Sequence, residues 1–243
     1  MRKFGLIGRT LKHSFSKKYF SDKFEEESIQ NCQYELFELE TIDEFPKLIK
    51  SNPELIGLNV TIPYKKEVIQ FLDDMDENAA KLQAVNTIKI TKSGLIGYNT
   101  DYIGFKNSLE KWETKGISAL VLGTGGASNA VKKVLEDKSI NYQMVSRNEG
   151  SGLTYEQIHS NPDILNTNLL VINTTPLGTF PNINECPNLP YEQMGSNHLL
   201  FDLVYNPEVT QFMQYGIDQG AKVQNGYEML VGQAEASWAI WKS

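Results

Sequence analysis

The stretch ISALVLGTGGASNAVKKVLED (117–137) decides the fold of this chain. Its first six residues are nearly all apolar, as in a buried parallel strand, and the residues after the turn carry apolar side chains at helical spacing. The turn GTGGAS (123–128) lies between them. Gly123 permits a tight turn, Gly125 lets a pyrophosphate approach the backbone, and the helix N-terminus offers N–H groups to the anion. This pattern predicts dinucleotide binding, and a purely structural turn is the alternative.

The rest of the chain alternates between apolar runs and helical spacings. Before the stretch 117–137 the pattern predicts a helix at 101–112. After that stretch it predicts strands at 141–146, 169–173 and 199–203, and helices at 208–220 and 227–241. In the first hundred residues it predicts strands at 3–8, 34–39, 55–61, 84–90 and 95–99, and helices at 16–29 and 41–52. The triplet KSG between the last two of these strands is typical of a hairpin. We therefore expect an α/β protein with parallel sheets covered by helices.

The composition excludes several classes of protein. The 243 residues include 23 basic and 30 acidic side chains, and the net charge of −7 argues against nucleic acid as a partner. No apolar run approaches the ~18–20 residues that a membrane span needs. Cys32 and Cys186 lack any metal-binding spacing, so we expect packing cysteines, no metal and a cytoplasmic location.

The end of the second strand after the glycine turn indicates which dinucleotide binds. An NAD site usually has an acidic residue about 20 positions after the first glycine, where it holds the ribose 2′-hydroxyl. Here Ser146 and Arg147 stand at that strand end. A hydroxyl and a guanidinium suit a 2′-phosphate, so NADP is the expected cofactor. Glu149 would oppose a phosphate, and a solvated Arg147 is the alternative interpretation.

Clusters of small polar residues end the apolar segments of the first hundred residues. They are HSFS (13–16), NVTIPYKK (59–66), AVNT (84–87) and YNTD (98–101). Ligands of open α/β sheets gather outside the carboxyl ends of strands, and such side chains suit a small polyhydroxylated molecule. Lys65 and Asp101 could supply acid–base function. Each cluster alone is also ordinary turn chemistry, and Lys65 alone is also an ordinary exposed lysine.

Eight motifs in one order resemble the shikimate dehydrogenase family over almost the whole chain. They are FGLIGRTLKHSFS (4–16), GLNVTIPYKK (57–66), AVNTI (84–88), GYNTDYIGF (97–105), VLGTGGAS (121–128), INTTPLG (172–178), FDLVYNP (201–207) and NGYEMLVGQA (225–234). The order and spacing of these motifs make the signal far more specific than the glycine turn alone.

The resemblance implies a reversible reduction of 3-dehydroshikimate to shikimate by NADPH, in chorismate and aromatic amino-acid biosynthesis. Lys65 would be the catalytic acid/base, paired with Asp101. The two serines would hold the substrate carboxylate, and Asp101 would also contact a ring hydroxyl. The implied substrate contacts are Ser14, Ser16, Asn59, Thr61, Asn86, Tyr205 and Gln233. The implied cofactor contacts are Glu77, Gly123, Thr124, Gly125, Gly126, Ala127, Ser146, Arg147, Leu203 and Gly226.

The same resemblance implies a two-domain architecture. A substrate domain would span 1–100 and be rejoined by the C-terminal helix 227–243, and a Rossmann-like NADP domain would span 101–226. The active site would lie in the cleft between them, in a monomer or a homodimer. The chain departs from the family at Lys17, where proline is usual, and at Glu228, where glycine is common.

Two other functions stay open. One is a relative that also oxidises quinate, often with NAD, and the absence of an acid at 146 or 147 argues against it. The other is a non-catalytic sensor on the same scaffold. Retention of both Lys65 and Asp101 argues against a sensor, because binding alone does not need a proton-transfer pair.

Overall fold

The computed structural model describes residues 1–12, 14–148, 150 and 152–243. The chain forms two compact units. Unit 1 contains Met1–Ile103 and Gln233–Ser243, and unit 2 contains Gly104–Gly232. Among the described residues, no helix combines the length and the apolar character that crossing a bilayer requires.

Unit 1 is built on a six-stranded sheet. In chain order its elements are β1 (Arg2–Gly8), α1 (Phe15–Glu26), β2 (Cys32–Glu38), α2 (Phe45–Ser51), β3 (Leu55–Val60), β4 (Asp74–Met75), α3 (Glu77–Leu82), β5 (Thr87–Thr91), β6 (Gly94–Tyr98) and the start of α4 (Thr100–Leu109). The strand order is β2-β1-β3-β5-β6-β4. β1 pairs in parallel with β2 and β3, whereas β5 and β6 form the predicted hairpin, and this hairpin makes the sheet mixed.

Alternation along β1 divides the core of unit 1 into two clusters. Phe4 and Leu6 pack in one cluster with Trp238 and Trp241 of the C-terminal helix, and Ile7 packs in the other. Successive strand residues point to opposite faces of a sheet, so one strand supplies both clusters. The two tryptophans lie one helical turn apart and share one buried face, as their spacing predicts.

Unit 2 contains a second six-stranded sheet, in which all pairs are parallel. Its elements are the rest of α4, β7 (Ala119–Leu122), α5 (Gly126–Asp137), β8 (Tyr142–Ser146), β9 (Leu153–Thr154), α6 (Tyr155–Ser160), α7 (Asp163–Thr167), β10 (Leu170–Asn173), β11 (Leu199–Asp202), α8 (Gln211–Asp218), β12 (Lys222–Gln224) and the start of α9 (Tyr227–Lys242). The order β12-β11-β10-β7-β8-β9 is the doubly wound Rossmann order. The sequence-based fold prediction is confirmed, and the order reverses between β7 and β10.

Several predicted helices are longer than the observed ones: α4 ends at Leu109 and not at 112, and α8 spans Gln211–Asp218 and not 208–220. Two further helices differ for reasons that the structure shows. The helix predicted at 16–29 ends at Glu26, because Ser28 adopts a left-handed φ of 52° that a helix cannot continue. The segment predicted as one helix at 41–52 begins as a 3-10 turn at Ile42–Glu44 before α2 starts. Pro46 stands in the first turn of α2, where its missing N–H costs nothing.

Candidate active site

The glycine turn occupies the point where the strand order of unit 2 reverses. Gly123 directly follows β7 and has a φ of +100°, and a side chain there would press against Thr174 and Thr175, which follow β10. Gly125 is the N-cap of α5 and brings no capping side chain to the first turn. A Cβ at Gly125 or Gly126 would meet no atom within 4 Å, so the backbone there is open to a ligand.

Five of the ten predicted cofactor residues line a cavity of about 530 Å³ beside this turn. It brings together Gly123, Thr124, Gly125, Ser146, Arg147, Asn148, Thr174 and Thr175, among others. Arg147 is exposed, and the buried Ser146 Oγ accepts a hydrogen bond from the backbone N–H of Asn148 at 3.1 Å. Glu149 lies outside the described residues. An open glycine turn, a helix N-terminus and a guanidinium at one cavity fit the phosphates of a dinucleotide.

A buried carboxylate supports the loops that follow β10 and β11, and the sequence analysis did not identify it. Asp202 is fully buried and accepts hydrogen bonds from Asn173 Nδ2 at 2.9 Å, Val204 N at 3.0 Å and Thr210 Oγ1 at 2.6 Å. Asn173 Oδ1 in turn accepts from the N–H and the hydroxyl of Thr175. Burial raises the pKa of Asp202 to about 6, although its three hydrogen bonds oppose that shift.

Leu203 and Gly226, both expected near the cofactor, are in contact within unit 2. A Cβ built on Gly226 would overlap the carbonyl of Leu203, and the Gly226 N–H donates to the carbonyl of Val204 at 3.0 Å. Only glycine allows this approach of two backbones. Glu228, one of the departures from the family, is paired with Lys111 at 2.6 Å.

Lys65 and Asp101 form an ion pair in unit 1. Lys65 follows β3, and its carbonyl accepts from the N–H of Val85 at 2.7 Å, which anchors the backbone beneath the amine. Asp101 lies in the first turn of α4. The distance from Lys65 Nζ to Asp101 Oδ2 is 2.6 Å, and the side chains are 31% and 13% exposed. The amine is thus held by a carboxylate while part of it remains accessible.

Three of the predicted substrate contacts share one hydrogen-bond network. Asn59 lies on β3, Asn86 precedes β5, and Gln233 lies on α9. Asn59 Nδ2 donates to the Asn86 carbonyl at 3.3 Å, and Asn86 Nδ2 donates to Gln233 Oε1 at 3.2 Å. The connecting side chains are Thr87 and Thr100, which stand in the polar clusters 84–87 and 98–101, and Tyr34 and Ser237, which the sequence patterns did not indicate.

The remaining substrate candidates of unit 1 are at strand and helix ends. Thr61 follows β3, and its N–H donates to the carbonyl of Ile7 at 3.0 Å, so the ends of β3 and β1 lie side by side. Ser14 is the N-cap of α1 and accepts from the N–H of Lys17 at 3.3 Å. A proline at 17 would lack this N–H, so the departure from the family adds a cap.

Comparisons with known proteins show the family to which this chain belongs. The family model for the shikimate dehydrogenase substrate binding domain matches residues 6–88. The shikimate dehydrogenase (NADP(+)) of Clostridium beijerinckii is 40% identical over 100% of this chain and 92% of its own length. The chain belongs to the shikimate dehydrogenase family.

Solved structures of shikimate dehydrogenases share the fold over the whole chain. A chorismate mutase/shikimate 5-dehydrogenase fusion protein from Clostridium acetobutylicum is 36% identical with a TM-score of 0.88, covering 99% of this chain and 91% of that one. Shikimate 5-dehydrogenase from Thermus thermophilus, in complex with NADP(H) and shikimate, is 27% identical with a TM-score of 0.80, covering 99% and 93%.

Four further residues that the resemblance assigns to the site are exposed in the unit to which each belongs. In unit 2, Tyr205 follows β11 and is 37% exposed, and Thr124 and Ala127 are exposed at the glycine turn. In unit 1, Glu77 begins α3, is exposed, and forms an ion pair with Lys81. Their roles toward ligands remain predictions.

Proposed function

We propose that this protein catalyses the reversible NADPH-linked reduction of 3-dehydroshikimate to shikimate, a step toward chorismate and the aromatic amino acids. The observation that carries the proposal is the pair of Lys65 and Asp101, 2.6 Å apart in unit 1 of a shikimate dehydrogenase family member. A binding protein would need the polar network but no partly exposed amine held by a carboxylate.

Lys65 is the proton donor and acceptor in this proposal. NADPH, when bound, supplies the hydride to the carbonyl carbon. Negative charge then develops on the carbonyl oxygen, and the Lys65 ammonium gives its proton to that oxygen. In the oxidation of shikimate, the neutral amine accepts the hydroxyl proton. Asp101 orients the amine through its 2.6 Å bond and accepts from a ring hydroxyl with its other oxygen.

The polar residues of the family motifs hold the substrate. The Ser14 and Ser16 hydroxyls bind the carboxylate, and Asn59, Thr61, Asn86 and Gln233 bind the ring hydroxyls, with Tyr205 as a further contact. A serine hydroxyl can donate its hydrogen to a carboxylate oxygen, and an amide side chain can donate to a hydroxyl or accept from it.

NADP is held by unit 2. The pyrophosphate lies on Gly123–Ala127 at the start of α5, and Arg147 with Ser146 binds the 2′-phosphate. Glu77, Leu203 and Gly226 complete the cofactor contacts. Unit 1 is the substrate-binding domain, in line with the matched family model, and unit 2 is the NADP domain. We also place the protein in the cytoplasm, as a monomer or a homodimer.

A crossed assay tests the function. We expect absorbance at 340 nm to rise with shikimate and NADP, and to rise far more slowly with quinate or with NAD. Preference for quinate would favour the quinate-oxidising alternative, and no turnover with any pair would favour the sensor.

Arg147→Ala should raise the KM for NADP by roughly 10- to 100-fold at unchanged kcat, as for the loss of a charge-assisted contact worth about 1.5–3 kcal/mol.

A further inference from the structure

The side-chain amides of Asn59 and Asn86 belong to a buried hydrogen-bond network in unit 1. This network fixes which hydrogen bonds each amide makes to the protein. Thr87, Thr100 and Ser237 in this network are completely buried, and Tyr34 is 4% exposed. Buried polar groups are almost always paired, and a paired amide has few donors or acceptors left over. What these two amides can still offer a ligand follows from counting their hydrogen bonds.

Both hydrogens of the Asn59 side-chain amide are used in hydrogen bonds within the protein. Its Nδ2 donates toward three acceptors, namely Ser237 Oγ at 3.0 Å, Thr87 Oγ1 at 3.1 Å and the Asn86 carbonyl at 3.3 Å. An amide nitrogen carries only two hydrogens. The Asn86 carbonyl cannot donate, so turning the amide over would set two oxygens against each other. Asn59 can therefore face a ligand only with Oδ1.

Tyr34 occupies one side of that oxygen. Its hydroxyl donates to Asn59 Oδ1 at 2.8 Å, and its ring stacks on Phe20 with centroids 4.7 Å apart. Burial raises the pKa of the Tyr34 phenol well above its usual range, so the hydroxyl keeps its proton. Ser16 is hydrogen-bonded to the same phenol. One lone pair of Asn59 Oδ1 remains for a ligand.

Asn86 is fixed with the opposite polarity. Its Oδ1 accepts from the N–H of Thr100 at 2.7 Å and from the Thr100 hydroxyl at 3.1 Å, and the Thr87 hydroxyl lies 3.2 Å away as a third donor, so both lone pairs are used. A backbone N–H can only donate, so this bond also sets the orientation of the amide. Nδ2 gives one hydrogen to Gln233 Oε1 at 3.2 Å. The second hydrogen is what Asn86 can offer a ligand.

Ser237 is the acceptor that holds Asn59. Its hydroxyl donates to the carbonyl of Gln233 one turn earlier in α9, at 2.9 Å. With its single proton used, Ser237 Oγ acts as an acceptor toward Asn59 Nδ2. The one proton of the Thr87 hydroxyl then points to Ser237 Oγ, 2.8 Å away, or to Asn86 Oδ1, 3.2 Å away. Ser237 contacts Asn59 from 178 positions further along the chain.

We propose that Ser237 is a positioning residue: it accepts from Asn59 Nδ2 and so holds Asn59 with Oδ1 toward the substrate, in the orientation that the Asn86 carbonyl also requires. Asn59 faces the substrate as an acceptor only, and Asn86 as a donor only. The group that meets Asn59 must therefore donate a hydrogen, as a hydroxyl does and a carbonyl or an ether does not. This inference rests on the proposed function, in which both asparagines contact ring hydroxyls.

Ser237→Ala removes the acceptor, and Ser108→Ala is a matched control. Ser108 is also buried in a helix and donates to the carbonyl four residues earlier, that of Gly104, at 2.9 Å, but it belongs to unit 2. We expect Ser237→Ala to raise the KM for shikimate roughly 2- to 10-fold, as for one neutral hydrogen bond, with kcat and the KM for NADP within about twofold of wild type. Ser108→Ala should leave the KM for shikimate unchanged.

A double-mutant cycle separates positioning from general loosening of the fold. If Ser237 acts through Asn59, then adding Ser237→Ala to Asn59→Ala should change kcat/KM by less than about twofold. Equal effects of Ser237→Ala in the wild-type and Asn59→Ala backgrounds would overturn the proposal while leaving the enzyme's function intact. So would equal KM values for Ser237→Ala and Ser108→Ala.

A measurement without turnover decides the same question independently. In side-chain amide hydrogen exchange by NMR, we expect the Asn59 NH₂ group to exchange slowly in the wild type and at least about 10-fold faster in Ser237→Ala. Ser108→Ala should not change that rate. An unprotected Asn59 amide in the wild type would refute the fixed polarity. Absence of shikimate oxidation with a protected amide would instead refute only the proposed function.

Discussion

At the scale of single residues, Lys65 decides between an enzyme and a binding protein. Lys65→Ala removes the proton donor beside Asp101, and we expect kcat to fall by about 10²–10⁴, the usual contribution of general acid–base catalysis. The shikimate Kd should rise less, because the serine, threonine and asparagine contacts remain. Both are measured by NADPH formation and by calorimetry, with folding checked by circular dichroism. A folded variant with wild-type kcat would remove Lys65 from catalysis.

Asp202 gives a second residue-scale prediction, on the pH dependence of stability. Its pKa is raised from 3.8 to about 6 in the folded protein, so between those values the native state binds more protons than the unfolded state. The contribution of Asp202 to the free energy of unfolding therefore falls as pH rises from about 4 to about 6, by roughly 3 kcal/mol in total. It becomes constant above about pH 7, where the folded protein has also lost this proton.

Urea unfolding of the wild type and of Asp202→Asn at several pH values tests this linkage. Asparagine does not titrate, so the difference in unfolding free energy, wild type minus variant, should decrease from pH 4 to pH 6 and then level off. A difference that increases over that range would mean that the hydrogen bonds from Asn173, Val204 and Thr210 outweigh the burial.

At the scale of elements, the packing of α9 on β3 depends on a glycine. A Cβ at Gly57 would overlap the indole of Trp241, whose Nε1 donates to the Ile88 carbonyl at 3.0 Å. We expect Gly57→Ala to lower the free energy of unfolding by about 1–3 kcal/mol, the usual cost of overpacking a core. Gly195→Ala is the control, since a Cβ there meets nothing within 4 Å. Equal unfolding free energies for the two variants would contradict this packing argument.

The elements found from the sequence are those with long apolar runs or clear helical spacing. β7, β10 and β11 fall within the predicted strands because each consists mainly of consecutive apolar residues. Short elements such as β12, three residues at a sheet edge, give too little periodicity to be recognised. α6 was missed although Thr154 and Gln157 form a capping box, a signal that the sequence does contain.

The same distinction applies to the candidate site. Lys65, Asp101 and the glycine turn stand in motifs that can be found within a few residues of sequence. Ser237 stands in no such motif, and its partners Thr87 and Thr100 are 150 and 137 positions away. Thr87 and Thr100 stand in the polar clusters 84–87 and 98–101, but only the packing of α9 brings Ser237 to them, so no local pattern could identify Ser237.

At the scale of the whole molecule, the two units should respond to different ligands. A ligand that binds only the native state stabilises the region it binds by RT ln(1 + [L]/Kd), about 2.7 kcal/mol at 100 times Kd. In backbone hydrogen exchange, we expect NADP alone to slow exchange in unit 2, at the glycine turn 123–128 and around Arg147. Shikimate alone should slow exchange in unit 1, at 59–61, 84–88 and 99–101, and at 233–237 of α9.

The segments around residue 205 and at the start of α3 give two further predictions for this hydrogen-exchange test. Tyr205 belongs to unit 2 but is a predicted substrate contact, so shikimate should also slow exchange around residue 205. Glu77 belongs to unit 1 but is a predicted cofactor contact, so NADP should also slow exchange at the start of α3. Protection of the glycine turn by shikimate alone, with none at 59–61, would reverse the assignment of the two units, because a ligand protects the backbone it contacts most strongly.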